Sequence, residues 1–242
     1  MIDHIAETGS TNADLLARAA DGAPEGLWLR ADIQTGGRGR LGRSWQSPRG
    51  NLYASTLVRL RPDDPPAHTL SLVAAIALYE AIRVAVPRAD ILIKWPNDVL
   101  LGGNKLAGIL LERQGDAVVI GIGVNLAHAP QLPERVTAAL SQIGPAPDAA
   151  DFCETLAEQF ASALQRWRHD GLAAIAEAWS VRAHQPETRL TTTDKDGKPI
   201  EGRFAGLTPD AMLKLRLPDG ETVIIHSGDI EIEGTSSDAA RD

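Results

Sequence analysis

The chain has 242 residues, a formal net charge of −8 and 43% hydrophobic residues, values typical of a soluble globular protein with a sizeable hydrophobic core. The acidic balance argues against general nucleic-acid binding, and a single cysteine, Cys153, excludes a disulfide framework and a multi-cysteine zinc site. Because the sequence shows neither a signal peptide nor a membrane-spanning segment, we expect a cytoplasmic protein.

The first predicted element is a helix that starts near residue 11. Thr11 is its predicted N-cap, and Asp14 stands at the capping-box position three residues later. The cap explains Thr11 without any function, but the free N–H groups at a helix start also bind anions. A predicted strand, "GLWLRADIQ", follows this helix.

The next segment, "TGGRGRLGRSW", concentrates positive charge in an acidic protein. Arg38, Arg40 and Arg43 alternate with glycines, and no acidic residue occurs from Ile33 to Leu52. Glycine lets a backbone approach a ligand closely, and guanidinium groups match phosphate and carboxylate. Taken alone, the segment fits an anion-binding loop, a solvated basic loop or a nucleic-acid segment. It is not a Walker-type phosphate loop, since no Gly-Lys-Ser/Thr follows.

Several strands and one long helix are predicted in the middle of the chain. "NLYASTLVRL" predicts a strand, a helix follows over about residues 68–86, and the next strand ends at Trp95-Pro96. "VLLGGNKLAGILLE" predicts a hairpin that turns at Gly102 to Asn104, and "AVVIGIGVNL" predicts a further strand. Because these strands cluster without crossover helices, we predict an α+β fold with a mixed, largely antiparallel sheet and helices on one face.

The last part of the chain changes from helices to short strands. Helices are predicted at about 148–168 and 171–183, with Trp167 and Trp179 as core anchors. Alternating strands follow, with hairpin turns at Asp196-Gly197 and Asp219-Gly220. The predicted division is a main domain at 1–185, a small β domain at 186–233 and a disordered tail at 234–242.

Three other short segments carry polar residues suited to a site. "GSTN" starts at Gly9, "KWPND" runs from Lys94 to Asp98, and "NKLAGILLE" carries Lys105 at a strand entrance. Each also has a structural explanation, as a helix cap, a turn and a solvated lysine. Gly108, however, removes a side chain where one would block a groove.

Together these segments closely resemble biotin–protein ligases. That family's catalytic domain carries, in order, Ser-Thr-Asn, Gly-Arg-Gly-Arg with Gly-Arg and Trp, Lys-Trp-Pro-Asn-Asp, Lys-Leu-Ala-Gly-Ile, and a glycine-rich strand ending in Asn. The matching residues here are 10–12, 37–45, 94–98, 105–109 and 121–125. The resemblance is dense over about residues 5–127. Beyond that it extends only to layout, where the family has helices and an SH3-like β-barrel after a class II synthetase-like domain.

The resemblance implies an ATP-dependent ligase. It would activate biotin to biotinyl-5′-AMP with release of pyrophosphate, then transfer biotin to a lysine of the biotin carboxyl carrier protein of acetyl-CoA carboxylase. Mg²⁺ would be held mainly through the ATP phosphates, with Asp98 as a possible ligand. No DNA or membrane partner is expected, and a monomer and a homodimer both stay open. Ser-Thr-Asn begins ten residues into the sequence, so no repressor-type DNA-binding domain is expected before it.

The resemblance also implies roles for individual residues. Lys105 would be the main catalytic residue, with Arg40 and Asp98, because it would neutralise charge beside the biotin carboxylate and the α-phosphate. The implied biotin site is Ser10, Thr11, Asn12, Gln34, Gly37, Arg38, Arg40, Lys105, Gly108 and Gly121. The implied ATP site is Arg38, Arg40, Arg43, Trp45, Asn97, Lys105 and Asn125, with Trp45 packed on the adenine.

Two alternatives and one departure from the family pattern remain. A lipoate ligase or octanoyltransferase would share the fold, although the wording of the loop and of Lys-Trp-Pro-Asn-Asp favours biotin. A nucleic-acid-binding module would use the arginine loop and show strongly salt-dependent binding, which the net charge of −8 disfavours. Leu41 stands where some relatives carry a further arginine, so one phosphate or carrier contact could be absent.

Overall fold

The structure is a computed structural model that describes residues 1–132, 135–193, 197–226 and 228–233. The described residues form a seven-stranded sheet, four α-helices and a five-stranded sheet. The large sheet contains β1 (Ile2–Thr8), β2 (Trp28–Gln34), β3 (Leu52–Arg59), β4 (Ile91–Lys94), β5 (Asp98–Leu101), β6 (Asn104–Gln114) and β7 (Ala117–Val124). The helices are α1 (Thr11–Ala20), α2 (Leu70–Ala85), α3 (Ala149–His169) and α4 (Gly171–Ser180). The small sheet contains β8 (Arg189–Thr193), β9 (Pro199–Leu207), β10 (Leu213–Arg216), β11 (Thr222–Ile225) and β12 (Glu231–Ile232).

The large sheet has the strand order β1-β2-β3-β7-β6-β5-β4. Among the described strands of this sheet, only β1 and β2 pair in parallel, with α1 as their crossover, and the other neighbours are antiparallel. The prediction of a mixed, largely antiparallel α+β fold is therefore confirmed. Strand β1 was not predicted, because "IDHIAET" lacks the period-two alternation that marks a half-buried strand.

The helices lie on both faces of the large sheet. Side chains alternate along β7, so Val118 and Ile120 pack into the main core with α2, whereas Val119 packs with Leu15 of α1 on the opposite face. Helices α2, α3 and α4 thus share one face, as predicted, and α1 lies on the other. The α1 face is where the predicted site residues gather.

Helix α1 begins one residue earlier than predicted. Ser10 is the N-cap, and its side-chain oxygen accepts a hydrogen bond from the backbone N–H of Ala13. Asp14 Oδ2 accepts from the Thr8 hydroxyl at 2.5 Å. The predicted cap at Thr11 with a capping box at Asp14 is therefore wrong. The reason is that the Thr11 hydroxyl is used in a network on the sheet face.

The main core is built around α2. By length and composition, the helical stretch Ala67–Ala85 could cross a membrane, but it is mostly buried in this protein, against the sheet and α3. Trp167 and Trp179 are fully buried, which confirms their prediction as core anchors. Cys153 is also fully buried, and burial raises the pKa of its thiol to about 12, as expected for an inert core residue.

The small sheet has the order β11-β10-β9-β8-β12 with antiparallel pairing, and it forms the predicted SH3-like β-barrel. The predicted hairpin at Asp219-Gly220 joins β10 to β11 and is confirmed. Asp196, in the other predicted turn, and the predicted tail at 234–242 lie outside the described residues. The proposed domain boundary after residue 185 falls between α4 and β8, and the division into two domains remains a prediction.

Apolar packing and a hydrogen bond from a tryptophan side chain attach the small sheet to the large one. His184 packs edge-on against Phe204 of β9 at 4.2 Å and against Trp179 of α4 at 6.2 Å between ring centroids. Burial lowers the pKa of His184 to about 4, so the imidazole is neutral at neutral pH. Trp95 Nε1 donates to the backbone oxygen of Ala211, which ties the predicted KWPND segment to the small sheet.

Candidate active site

The site lies on the α1 face of the large sheet, over a floor of small residues. The strand registers place Tyr53, Gly123, Gly108 and Asp98 side by side across four strands. Gly121 lies in the adjacent row. Because the three glycines carry no side chain, the middle of the sheet face forms a trench that other groups can enter.

The side chains of Trp45 and Asn12 approach the floor so closely that a Cβ on its glycines would crowd them. A Cβ on Gly123 would lie 2.6 Å from the Trp45 indole, and one on Gly108 would lie 3.0 Å from the same ring. A Cβ on Gly121 would collide with the side chain of Asn12. The glycine-punctuated strand is therefore a packing surface for the helix start and for the arginine loop.

Four neutral side chains form a hydroxyl–amide cluster at the start of α1: Thr11, Asn12, Gln34 and Ser55. Gln34 Oε1 accepts from the Thr11 backbone N–H at 2.8 Å and lies 3.0 Å from the Thr11 hydroxyl. The Ser55 hydroxyl lies 2.6 Å from Asn12 Oδ1 and 2.7 Å from the Thr11 hydroxyl. Since Ser55 is fully buried, this network fixes hydrogen-bonding groups in place before any ligand arrives.

Glu112 connects this cluster to the arginine loop. Its Oε2 accepts from the Asn12 side-chain amide at 2.7 Å, and its Oε1 accepts from Arg38 at 3.1 Å. The second contact brings the first arginine of the loop onto the sheet. The helix start and the loop thus share one carboxylate.

A charge cluster lies beyond the floor and consists of Arg40, Arg43, Lys105, Arg135, Asp98 and Asp229. Asp98 is 6% exposed; its Oδ1 accepts from Lys105 Nζ at 2.7 Å and its Oδ2 from Arg135 at 3.0 Å. Both carboxylate oxygens are therefore occupied by well-directed donors, as a buried charge requires.

The second carboxylate of the charge cluster comes from the small sheet. Asp229 Oδ2 lies 2.5 Å from Arg43 Nη1, and Asp229 Oδ1 lies 3.5 Å from Arg40 Nη1. Arg40 also donates to Asn97 Oδ1 at 3.1 Å and to the backbone oxygen of Gly228 at 3.3 Å. Four cations against two carboxylates leave the charge cluster with an excess positive charge that suits an anionic ligand.

Trp45 joins the floor to the charge cluster. Its ring covers Gly108 and Gly123, and Lys105 Nζ lies 5.5 Å from the ring centroid, within cation–π range. The indole N–H is buried without a hydrogen-bond partner in the described part of the chain. A flat aromatic ring with a free donor is therefore present beside the cations.

Lys94 adds a further positive charge next to the charge cluster. It pairs with Asp98 in the register of β4 and β5. Burial lowers the pKa of Lys94, while the Asp98 carboxylate partly offsets this effect. The Lys94 ammonium consequently loses its proton more readily than an exposed lysine does.

Most of the predicted site residues line one cavity of about 1670 Å³ between the two sheets. Ser10 lines its neutral end beside the hydroxyl–amide cluster, with Gly121 in the floor. The predicted nucleotide residues lie at the other end, in and around the charge cluster. The predicted residues on the cavity wall are Ser10, Thr11, Asn12, Gln34, Arg38, Arg40, Arg43, Trp45, Asn97, Asp98, Lys105, Gly108 and Gly121.

Gly37 and Asn125 are not on the cavity wall. Gly37 is buried within the loop, where its carbonyl accepts from the Trp45 N–H at 2.9 Å and an added Cβ would lie 2.7 Å from the Trp45 carbonyl. Asn125 is 2% exposed, and its side-chain amide donates to the backbone oxygen of Ala138 at 3.0 Å and lies 3.5 Å from that of Lys105. Both residues therefore support the site from behind.

Leu41 lies in the loop at φ 57°, in the left-handed region, with 75% of its surface exposed. It contributes no charge to the cavity. The departure from the family pattern thus falls at the outer tip of the loop rather than on the sheet face.

Ser55, Glu112, Arg135 and Asp229 are among the residues of the site that were not predicted. Ser55 sits within an apolar strand and Glu112 at the end of one, and a period-two pattern would have placed both on the glycine face of the sheet. Arg135 and Asp229 come from a proline-rich connection and from the small sheet. Only the three-dimensional fold brings those two residues to the site.

Comparison with known proteins finds a family match in each of the two sheets. Residues 10–125 match the Biotin/lipoate A/B protein ligase family, and residues 187–232 match the Biotin protein ligase C terminal domain. The chain is 43% identical over 241 residues to a biotin–[acetyl-CoA-carboxylase] ligase of Paracoccus denitrificans, covering 91% of this chain and 96% of the relative. It is 36% identical to the ligase of the same name from Mycobacterium tuberculosis, covering 95% and 88% of the two chains.

The fold also matches a solved structure. The biotin protein ligase of Aquifex aeolicus, in complex with biotin and ATP, aligns with a TM-score of 0.84 over 96% of this chain and 98% of its own, at 24% identity. At that identity the match concerns the fold alone. It extends across both sheets of the protein.

Proposed function

Because this chain belongs to the biotin protein ligase family, we propose that the cavity between its two sheets is where biotin and ATP react. The protein is an ATP-dependent biotin–[acetyl-CoA-carboxylase] ligase, as its relatives at 43% and 36% identity indicate. The observation that supports this choice of reaction site is that two different surfaces meet in one cavity. One end offers buried neutral hydrogen-bonding groups, and the other offers a charge cluster with excess positive charge.

The charge cluster suits the first half-reaction. A carboxylate oxygen of biotin attacks the α-phosphorus of ATP, the bond to the bridging oxygen of the β-phosphate breaks, and pyrophosphate leaves. Two anions must approach each other, so fixed cations lower the barrier more than any nucleophile would. We assign this role chiefly to Lys105, held 2.7 Å from Asp98, with Arg40 and Arg43 on the phosphates.

The hydroxyl–amide cluster suits the other end of biotin. Its ureido ring is neutral and both donates and accepts hydrogen bonds, so burial demands fixed partners of both kinds. Thr11, Asn12 and Gln34 supply such partners, and Ser55 orients them from below. Trp45, in contact with the floor glycines, is placed to stack on the adenine.

Asp98 fits a supporting role better than a direct one. In the second half-reaction a carrier lysine attacks the carbonyl of the adenylate, an amide forms and AMP leaves. Both Asp98 oxygens already accept hydrogen bonds from Lys105 and Arg135. Its charge therefore serves to hold these two cations in position for the adenylate.

Mg²⁺ is proposed to enter with the nucleotide. The described residues contain no group of three or more His, Cys, Asp or Glu side chains arranged to hold a metal ion. This fits a cation bound mainly by phosphate oxygens and water, the usual arrangement for Mg²⁺ with ATP.

The carrier is proposed to be the biotin carboxyl carrier protein of acetyl-CoA carboxylase, and a cytoplasmic location stays a prediction.

The direct test is carrier labelling. The protein is incubated with biotin, MgATP and a carrier domain, and the carrier mass is measured, with a carrier whose acceptor lysine is replaced by arginine as control. A biotin adduct that requires ATP and the acceptor lysine is the expected result. Parallel reactions with lipoate and octanoate test the alternative ligase, and an adduct with either acid but not with biotin would overturn the proposal.

A further inference from the structure

The two carboxylates of the charge cluster are held very differently. The Asp98 side chain is 8% exposed and accepts well-directed hydrogen bonds from two cations. The Asp229 side chain is 28% exposed, and its Oδ2 has no partner with hydrogen-bond geometry among the described residues, although Arg43 lies only 2.5 Å away. The contact of Asp229 with the arginines is therefore electrostatic and poorly directed, and it is the easier of the two to exchange.

Asp229 is nonetheless charged at neutral pH. Burial alone would raise the pKa of this carboxyl, but Arg43, Arg135 and Arg40 outweigh burial and hold the pKa below its ordinary value. The residue belongs to the small sheet, between β11 and β12, whereas two of its partners belong to the arginine loop. The ionised carboxylate of the small sheet thus pairs with guanidinium groups of the arginine loop.

We propose that Asp229 sets the affinity of the site for polyphosphate, as an internal anion that ATP must displace from Arg40 and Arg43. This inference rests on the proposed function, because it takes the two arginines as the phosphate-binding groups. Guanidinium forks bind carboxylate and phosphate with the same donors, so the two anions compete for them. Before the nucleotide binds, Asp229 keeps the loop against the small sheet.

The competition has a consequence for product release as well as for binding. A site whose competent form is only a fraction of the population binds its ligand more weakly by that fraction. Pyrophosphate, the leaving group of the first half-reaction, faces the same competitor as ATP. Return of Asp229 to the arginines therefore favours the departure of pyrophosphate, while the affinity for biotin is set elsewhere.

The test compares Asp229→Asn with Glu221→Gln, which removes one negative charge from an exposed position on the same sheet. Asp229→Asn is expected to lower both the KM for ATP and the inhibition constant of inorganic pyrophosphate by about fivefold, as for loss of a partly exposed ion pair. The KM for biotin should not change, and Glu221→Gln should match the wild type in all three constants. An unchanged or raised KM for ATP in Asp229→Asn would overturn the inference.

Failure of the inference can be told from failure of the proposed function. If the wild-type protein forms no biotinyl-AMP from biotin and ATP, the function is at fault. If the wild type is active but Asp229→Asn binds pyrophosphate no more tightly, only the role of Asp229 is wrong.

A second measurement uses the wild-type protein, in case melting shows that Asp229→Asn does not fold. Amide hydrogen exchange in the peptide around Asp229 is followed with and without inorganic pyrophosphate. Faster exchange with pyrophosphate is expected, because the anion releases Asp229 from the loop. Unchanged or slower exchange would show that the contact persists with the anion bound and would contradict displacement.

Discussion

The two ends of the cavity differ in charge and in the parts of the chain that form them. The hydroxyl–amide cluster is neutral, buried and assembled from two neighbouring strands and the helix start beside them, so its partners are in place without a ligand. The charge cluster is assembled from the arginine loop, β5, β6, a proline-rich connection and the small sheet. A neutral group can be buried once its hydrogen bonds are made, whereas clustered cations need counter-ions until the substrate arrives.

This difference predicts that substitutions at the two ends separate biotin binding from ATP binding and catalysis. Changes in the hydroxyl–amide cluster should act on the KM for biotin. Changes in the charge cluster should act on adenylate formation and on the KM for ATP, and the KM for ATP should depend on pH.

The largest effect is expected from Lys105→Ala. This substitution removes the cation nearest to Asp98 and should reduce the rate of biotinyl-AMP formation by about 10³-fold or more, since fixed charge at the reacting phosphate supplies much of the rate enhancement. The measurement is the rate of biotin-dependent pyrophosphate release, with circular dichroism to check the fold. Adenylation at the wild-type rate in a folded Lys105→Ala variant would remove Lys105 from the mechanism.

The extent to which the two ends could be predicted from sequence also differs. Thr11 and Asn12 belong to the Ser-Thr-Asn motif, and Gln34 comes just before the arginine loop, so the motifs pointed to three of the four members of the hydroxyl–amide cluster and missed Ser55. Four of the six residues of the charge cluster were predicted, whereas Arg135 and Asp229 lie outside every motif and reach the site only through the tertiary fold. Local patterns encode local partners, whereas a counter-ion from a distant segment depends on the tertiary fold.

The fold shows the same distinction between local and long-range signals. Strands with clear alternation and the long apolar helix were predicted within a few residues. β1 was missed because it is a weakly patterned edge strand, and the N-cap was misplaced because the Thr11 hydroxyl serves a partner in β2. Helix α1 packs on the opposite face of the sheet, against side chains such as Val119 that alternate along β7. The apolar pattern of α1 itself shows which side of the helix is buried, but not which face of the sheet it covers.

Gly123→Ala is expected to act on the nucleotide end with the next largest effect. The added methyl group would lie 2.6 Å from the indole and displace Trp45 from the floor, so the KM for ATP should rise by about tenfold or more, while the KM for biotin changes less. Gly144→Ala is the matched control, because a Cβ at that position would meet no described residue within 4 Å apart from its chain neighbours. Equal rises in both KM values would show that the floor does not distinguish the two ends.

Ser55→Ala tests the neutral end. Loss of this buried hydroxyl leaves Asn12 Oδ1 and the Thr11 hydroxyl without their shared partner, and should raise the KM for biotin by about five- to tenfold. The KM for ATP should stay within about twofold of the wild type. A Ser55→Thr variant, which keeps the hydroxyl, serves as the control for steric change. A larger effect of Ser55→Ala on ATP than on biotin would contradict the division of the cavity into two ends.

The smallest expected effect separates the two ends by pH. Burial lowers the pKa of Lys94, so its charge is lost at a pH below the ordinary value of 10.5, and the positive excess near Asp98, Arg135, Asp229 and Lys105 then falls by one. As pH rises into the alkaline range, the KM for ATP should therefore rise by about two- to threefold in the wild type. Lys94→Arg stays charged and should move this rise to higher pH, while the KM for biotin, which the neutral hydroxyl–amide cluster chiefly sets, should follow the same profile in both proteins. Identical KM profiles for ATP in the wild type and Lys94→Arg would show that Lys94 contributes no charge to nucleotide binding.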